Sequence, residues 1–181
     1  MSKNEKIFKI AIVGDKGVGK TKFLSICNPI KSNKEDCLIL PKKLNQSDFK
    51  IKIFKIISKD DEKKNSSILN NDCFCVIMMF DMSKRESFEG LVNWIIWLID
   101  TMHYDGYINI LGNYDNDNKK FLCTTKEEVC TFLKLKTLKY SFYEIGNKNI
   151  SQKINLIDLL IQNTATEYEK YMKDKKGCYI F

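Results

Sequence analysis

One segment of the sequence, Gly14 to Thr21, has residue types and a spacing that can bind phosphate. It reads GDKGVGKT and fits the pattern G-x-x-x-x-G-K-[ST] at every defined position. Its glycines let backbone N–H groups turn inward around an anion, because no Cβ atom stands in the way. The Lys20 ammonium can reach β- and γ-phosphates, and the Thr21 hydroxyl can bind Mg²⁺. The predicted phosphate-binding residues, with Thr21 as the metal ligand, are Gly14, Asp15, Lys16, Gly17, Val18, Gly19, Lys20 and Thr21.

A predicted strand precedes this segment and a predicted helix follows it, as phosphate binding by such a loop requires. Residues 6–13 predict a strand that is continuously apolar in its second half, as in a buried parallel sheet. Residues 20–27 predict a helix whose positive N-terminal end faces the same site. Because further strand and helix patterns alternate along the chain, we predict an α/β fold with a mostly parallel sheet. The other predicted strands are 37–44, 49–57, 72–81, 107–111 and 140–145, and the other predicted helices are 88–102, 125–134 and 151–172.

Three finer predictions come from polar segments. Residues 45–48 have the composition of a hairpin turn between two strands. Residues 59–71 are rich in charge and Asn, which predicts a solvated loop with at most a short helix near 67–70. Residues 83–86 read SKRE and predict a capping box before the third helix, whereas Thr125 predicts a cap for the fourth.

The overall composition excludes several classes of protein. A chain of 181 residues with 44% apolar and 29% charged residues predicts one globular domain. No apolar run approaches the ~18–20 residues needed to cross a bilayer, and the polar amino terminus predicts no secretory signal, so we expect an intracellular protein. The net charge is +7, but Arg85 is the single arginine, so we predict no nucleic-acid partner. Seven cysteines with one histidine predict reduced thiols rather than a zinc site.

Motifs in serial order make the chain resemble the Ras superfamily of small GTPases. They are GDKGVGKT at the first turn, FDMSKRESFEGLVNWI for the fourth strand and third helix, ILGNYDND at the guanine-binding strand end and YEIGNKN near the last strand. This resemblance covers nearly the whole chain. It implies a six-stranded sheet flanked by five helices, with GTP or GDP and Mg²⁺ as the bound groups.

The resemblance also implies which residues would contact the guanine base. The family's N-K-x-D motif is similar to Asn113-Tyr114-Asp115-Asn116, which is followed by Asp117. A carboxylate accepts both hydrogen bonds from guanine N1–H and the amino group, whereas one end of an Asn amide is a donor. A shift of one residue would therefore present Asp115 or Asp117 to the base. The family's S-A-K loop resembles Gly146-Asn147-Lys148, in which the Asn147 N–H can contact the guanine oxygen.

Groups that the family uses for hydrolysis are missing here. Residues 29–44 contain no threonine that could be a second magnesium ligand, and the aligned segment reads Leu38-Ile39-Leu40-Pro41. Where the family has D-T-A-G-Q, this chain has residues 57–62, ISKDDE, whose acids we interpret as a solvated loop. Lys16 stands where many family members have Gly, and its side chain can crowd the attacking water. We therefore expect weak or absent GTP hydrolysis.

The carboxyl-terminal residues predict attachment to a membrane. Cys178-Tyr179-Ile180-Phe181 fits C-a-a-X, and a terminal Phe points to geranylgeranylation of Cys178. Lysines just upstream supply the basic second signal that one lipid chain usually needs on an anionic leaflet. We therefore predict a Ras-like domain at 1–172 and a basic tail at 173–181. The expected location is the cytoplasmic face of a membrane, with a cytosolic pool.

Three functions remain open from the residues alone. The first is a prenylated GTP- and GDP-binding protein that acts in signalling or vesicle trafficking. The second is a pseudo-GTPase, which would recognise partners with little nucleotide switching. The third is a P-loop nucleotide kinase, which the scarcity of arginines disfavours because such kinases clamp the transferred phosphoryl group with several of them. Effectors, exchange factors and the subfamily are not readable from the sequence.

Overall fold

The described structure is a computed structural model that covers residues 6–33, 37–44, 47–70, 72–114, 122–135, 139–146 and 149–177. Strands and helices alternate through these residues as the sequence pattern predicts. The strands are β1 (Lys6–Val13), β2 (Ile30–Lys31), β3 (Leu38–Leu44), β4 (Ser47–Lys55), β5 (Cys73–Asp81), β6 (Tyr107–Asn113) and β7 (Tyr140–Glu144). The helices are α1 (Lys20–Cys27), α2 (Glu62–Asn70), α3 (Arg85–Ile96), α4 (Lys126–Leu135) and α5 (Ile150–Gly177).

One mostly parallel sheet forms the centre of the molecule, which confirms the predicted α/β class. Its strand order is β2-β3-β4-β1-β5-β6-β7. The pairs from β4 through β7 are parallel, whereas β3 pairs antiparallel with β4 and β2 antiparallel with β3. The described residues thus contain seven strands and five helices. The predicted count of six strands is one too low, because it lacks the two-residue strand β2. Both side chains of β2 are exposed and leave no hydrophobic pattern.

Two polar segments differ from their predictions. The charged stretch predicted as a loop contains the helix α2, in which Asn65 and Leu69 are buried. A helix that buries so small a face carries almost no apolar periodicity. The predicted capping box before α3 does not form, since the N-cap residue is Lys84 and no side chain caps the helix. Ser83 instead donates its N–H and hydroxyl to Asp81 Oδ1, at 3.0 and 2.6 Å.

Other helix ends agree with the sequence to varying degrees. Thr125 caps α4 as predicted, because its Oγ1 accepts a hydrogen bond from the Glu128 N–H at 3.2 Å. The helix α3 begins three residues before the predicted position and ends at Ile96, where a π-helical turn over Trp97–Thr101 replaces its last predicted turn. The helix α5 runs through Gly177, past the boundary predicted between domain and tail.

No helix in the described part of the chain is both long and apolar enough to cross a bilayer.

Helices cover both faces of the sheet, and β5 shows why its sequence is continuously apolar. Val76, Met78 and Phe80 belong to the core beneath α2, α3 and α4. Ile77 and Met79 alternate with them and belong to the core shared with α1 and α5. Side chains of a strand point alternately to opposite faces. A strand covered on both faces therefore needs apolar residues at every position, as the parallel-sheet interpretation predicted.

A buried polar contact joins the sheet to α5. Asn109 lies in β6 and has no exposed surface, and its Nδ2 donates to Thr164 Oγ1 at 2.8 Å and to Cys75 Sγ at 3.2 Å. The Thr164 hydroxyl donates in turn to the Leu160 carbonyl at 2.8 Å. Sulfur is a weak acceptor, so Thr164 supplies the stronger of the two partners of the Asn109 amide. This contact fixes α5 against β5 and β6.

We expect Thr164→Val to lower the free energy of unfolding by about 1–3 kcal/mol, because it leaves a buried amide without its oxygen acceptor. Thr166→Val is the matched control, since the Thr166 hydroxyl makes the same contact four residues back, to the Gln162 carbonyl, at an accessible position. We expect that control to change stability by no more than about 0.5 kcal/mol. Urea unfolding followed by circular dichroism measures both. Equal losses in the two variants would contradict the role assigned to Thr164.

Candidate nucleotide site

The predicted phosphate loop lies at the carboxyl end of β1, between β1 and α1. Gly14 has a φ of 134°, and a Cβ atom at this residue would lie 2.2 Å from the Met79 carbonyl oxygen of β5. Gly19 has a φ of 100°, and its Cβ would lie 2.6 Å from Asn113 Nδ2. Both positions therefore require glycine, because of backbone angle and of space. The sequence pattern and the local geometry agree at these residues.

The ammonium group of Lys20 is held inside the loop. Its Nζ donates to the carbonyl oxygens of Gly14 and Asp15, each at 2.6 Å, and the side chain is 8% exposed. Burial and the nearby charge of Lys55 lower the pKa of Lys20 from its ordinary value, and Asp15 opposes this effect. A bound phosphate would counter both the loss of hydration and the repulsion. The loop thus holds a cation that is better matched by an anion than by water.

The end of β6 contacts the phosphate loop directly. Asn113 Nδ2 donates to the Val18 carbonyl oxygen at 3.1 Å, so the first residue of the predicted base motif touches the predicted phosphate site. Tyr114, which replaces the family's lysine, is buried with its ring against Gly146 at the end of β7. The Ile145 N–H donates to the Gly112 carbonyl at 2.9 Å and holds the two strand ends together. The loop, Asn113 and Gly146 therefore lie along one edge of the sheet.

Several predicted residues of the site fall outside the described residues. The carboxylates predicted to contact guanine, the two residues of the predicted S-A-K-like loop and the predicted lipidation site remain predictions. They are Asp115, Asp117, Asn147, Lys148 and Cys178.

The carboxylate of Asp15 is bound to α3, a contact that sequence reasoning missed. Trp94 Nε1 donates to Asp15 Oδ1 at 2.8 Å. A Cβ atom at Gly90 would lie 1.8 Å from Asp15 Oδ2, so the glycine leaves the space that this carboxylate fills. Lys59 lies over the Trp94 ring, with its Nζ 4.8 Å from the ring centroid. The i, i+4 spacing of Gly90 and Trp94 on α3 was the available signal, because it places both residues on one side of the helix.

The acidic residues after β4 make local contacts. Asp60 Oδ2 accepts a hydrogen bond from the Ser58 hydroxyl at 2.6 Å. Asp61 Oδ1 accepts one from the Lys64 N–H at 3.2 Å, within the first turn of α2. Leu38 to Pro41, aligned with the region that holds the family's second threonine, lie in β3 and pair with β4. The described residues in these segments thus supply neither the glutamine nor the threonine that the family uses.

The surroundings of Thr21 do not fit a magnesium ion. Its Oγ1 accepts a hydrogen bond from Lys55 Nζ at 3.2 Å, so a cationic side chain already contacts the predicted ligand. Mg²⁺ prefers oxygen ligands at about 2.0–2.1 Å, usually with one or two carboxylates nearby. In the described ranges no three His, Cys, Asp or Glu side chains form a metal-binding group. Within the described ranges, the residues around Thr21 therefore do not match the metal that the resemblance implies.

We expect Trp94→Phe to be more destabilising than Trp97→Phe by about 1–2 kcal/mol, because the first removes a hydrogen bond to a partly solvated carboxylate. Trp97 is the matched control, since its buried Nε1 has no hydrogen-bond partner among the described residues. Both changes remove a similar area of aromatic ring. Urea denaturation of the two variants gives the comparison. If Trp97→Phe proves as costly, the Asp15 contact contributes nothing measurable.

Comparison with known proteins gives weak but extended similarity to GTPases. No protein-family model matches the chain. The chain is 26% identical to the tRNA modification GTPase MnmE of Mycoplasma genitalium, in a match that covers 96% of this chain and 42% of that protein. It is 27% identical to the GTP-binding protein yptV5 of Volvox carteri, over 67% of this chain and 58% of that one. It is 25% identical to the Ras-related protein RabV of Dictyostelium discoideum, over 71% and 53% respectively.

The chain spans about half the length of these relatives, between 42% and 58%. This similarity agrees with three observations from the structure. They are a mostly parallel sheet, a glycine-rich loop after β1 and an Asn113 side chain that contacts this loop. The resemblance to small GTPases predicted from the sequence is confirmed by this similarity to GTP-binding and Ras-related proteins.

Proposed function

We propose that this protein binds guanine nucleotides, with their phosphates in the loop from Gly14 to Thr21. One observation carries the proposal: the buried Lys20 ammonium, held by two loop carbonyls at 2.6 Å. A buried cation in a glycine-rich loop, at the N-terminal end of α1, is complementary to a polyphosphate. The names of similar proteins, which include GTP-binding protein and GTPase, support guanine nucleotides as the class of ligand.

The guanine base would bind at the ends of β6 and β7. The hydrogen bond from Asn113 to the Val18 carbonyl supports this orientation, because it fixes the base motif beside the phosphate loop. Asp115 or Asp117 would accept the guanine N1–H and amino protons, and Asn147 with Lys148 would lie near the guanine oxygen. Tyr114 replaces the lysine of the family motif. We therefore infer a preference for guanine over adenine that is smaller than a complete motif would give.

Hydrolysis of GTP by this site would be slow or absent. The segment after β4 has no glutamine to orient water, and the described acids Asp60 and Asp61 are engaged in local contacts. Lys59 packs on Trp94, a contact that holds this segment against α3. A pseudo-GTPase that recognises protein partners is the second candidate, favoured by the same missing groups. Either form would suit signalling or vesicle trafficking.

A nucleotide kinase fits the structure less well. Kinases of this class use several arginines to stabilise the transferred phosphoryl group. The single arginine, Arg85, pairs with Glu128 at 2.5 Å, and its guanidinium lies 4.9 Å from the centroid of the Phe88 ring. Arg85 thus joins α3 to α4 through contacts of its own. We retain guanine-nucleotide binding as the proposed function.

We expect purified protein to bind GDP more tightly than ADP, and Lys20→Ala to lose most GDP binding because it removes the cation that faces two phosphates. Lys173→Ala is the charge-matched control. Lys173 lies near the end of α5. This end of α5 is at the amino end of β1, as the Glu169–Lys6 ion pair shows, and the phosphate loop is at the carboxyl end of β1. Calorimetric titration measures all three proteins. Equal GDP affinity in Lys20→Ala and the parent, or a preference for ADP, would refute the proposal.

Membrane attachment is part of the proposed function. Cys178 would be alkylated within the C-a-a-X sequence, and the lysines near it would attract anionic lipids, at about 1 kcal/mol for each lysine near the surface. The exposed Lys173 lies on α5, so at least part of the basic segment is helical. A prenyl group with a basic segment would hold the protein at the cytoplasmic face of a membrane and leave a cytosolic pool.

We expect Cys178→Ser to move the protein from membranes to the cytosol in a eukaryotic host, because a serine hydroxyl is far too weak a nucleophile to replace the thiolate. Cys123→Ser is the matched control, since Cys123 is an exposed thiol before α4. Cell fractionation and intact-mass measurement give the result. An unmodified chain that still carries Tyr179, Ile180 and Phe181 would contradict the proposal.

A further inference from the structure

The contact between Lys55 and Thr21 is produced by the register of the two central strands. Lys55 ends β4 and pairs with Ile12 of β1, two residues before the phosphate loop. The Ile56 N–H donates to the Ile12 carbonyl at 3.0 Å and holds this pairing to its end. Side chains alternate along a strand, so Lys55 points to the same face as the buried Ile53, toward α1. The first turn of α1 presents Thr21 there.

Lys55 adds a positive charge to the phosphate loop, which itself contains Lys16 and Lys20. Its Nζ lies 3.2 Å from Thr21 Oγ1. Burial is the main cause of the lowered pKa of Lys20, and the charge of Lys55 lowers it further. Asp15, the acid of the loop, is bound to Trp94 instead. In the described part of the chain no carboxylate forms an ion pair with Lys55. The ammonium groups of Lys20 and Lys55 therefore both lie at the loop, and a bound polyphosphate would neutralise both.

We propose that the ammonium group of Lys55 takes the place of Mg²⁺ in this site, so that guanine nucleotides bind without a divalent cation. This inference rests on the proposed function, because it concerns the same nucleotide. An ammonium group carries three donors and no acceptor. One donor contacts the Thr21 hydroxyl, and the other two are available to oxygens of the β- and γ-phosphates. The group thus supplies both the hydroxyl contact and the neutralising charge that a magnesium ion would supply.

The effect of Mg²⁺ on nucleotide affinity distinguishes this site from a magnesium-dependent site. Binding of Mg²⁺ would have to displace Lys55 from Thr21 and bring a divalent charge close to two ammonium groups. Like charges at such distances repel strongly near a protein surface. Adding or removing Mg²⁺ should therefore leave the affinity for GDP nearly unchanged. In a variant without the Lys55 charge, the affinity should fall and depend on the metal.

The experiment measures GDP and GTP affinity by calorimetry, in excess Mg²⁺ and in EDTA, for the parent, Lys55→Met and Lys55→Asp. For the parent we expect the two conditions to agree within about twofold. Lys55→Met should bind about tenfold or more weakly in EDTA, as for the loss of a hydrogen bond to a charged group. Lys55→Asp should bind weakly in EDTA and recover in Mg²⁺, because a carboxylate beside Thr21 restores an oxygen ligand.

Lys50→Met is the matched control on the same strand. It removes one charge by the same substitution, five residues and about 17 Å from Lys55, on the opposite face of β4. We expect it to bind GDP as the parent does. Lys55 is exposed at the edge of the loop, so all variants should fold, and thermal unfolding checks this.

The dependence of GDP affinity on Mg²⁺ distinguishes failure of this inference from failure of the proposed function. Parent protein that binds GDP in Mg²⁺ but loses about tenfold or more of its affinity in EDTA would overturn this inference and leave the proposed function standing. Equal binding by Lys55→Met and the parent in EDTA would also overturn it. Failure of the parent to bind either nucleotide in both conditions would refute the proposed function, and this inference with it.

Discussion

The parallel pairing of β1 with both β4 and β5 is the constraint on which the site depends. It brings the carboxyl ends of these strands to one edge of the sheet, where the loop after β1 meets the Met79 carbonyl of β5 and the Lys55 side chain of β4. The next strand along, β6, adds Asn113 to the same edge. Ligands of open α/β sheets bind outside the carboxyl ends of the strands. The carboxyl end of β1, which leads into this edge, is buried on both faces.

Among the described residues at this edge of the sheet, positive charge dominates. Lys20 is buried, Lys55 donates to Thr21 Oγ1, and the carboxylate of Asp15 accepts a hydrogen bond from Trp94. An anion is the natural counterpart of this arrangement, whereas a free divalent cation would be repelled by it. The described acids after β4 serve the start of α2 instead of the loop. The charge of the described residues at this site thus matches an anionic ligand.

Much of this arrangement is predictable from the sequence, because its causes are local. The glycines of the loop, the doubly covered β5 and the Thr125 cap each follow from neighbouring residues. The strand β2 and the helix α2 were missed because each buries too little to leave an apolar pattern. The contacts of Lys55 with Thr21 and of Trp94 with Asp15 join residues 34 and 79 positions apart. Such contacts depend on strand register and helix placement, which composition does not encode.

The contact of Asp15 with α3 has a consequence for how sequences of this kind can diverge. Any side chain at Gly90 would collide with the carboxylate, and the indole of Trp94 loses its acceptor if Asp15 is replaced. Asp15 is distant in the chain from Gly90 and Trp94, but none of the three can change alone without strain or an unpaired donor. They should be inherited or lost as a set. Related sequences that keep this geometry should therefore share three residues. They are an aspartate after the first loop glycine, and a glycine and a tryptophan four residues apart in the third helix.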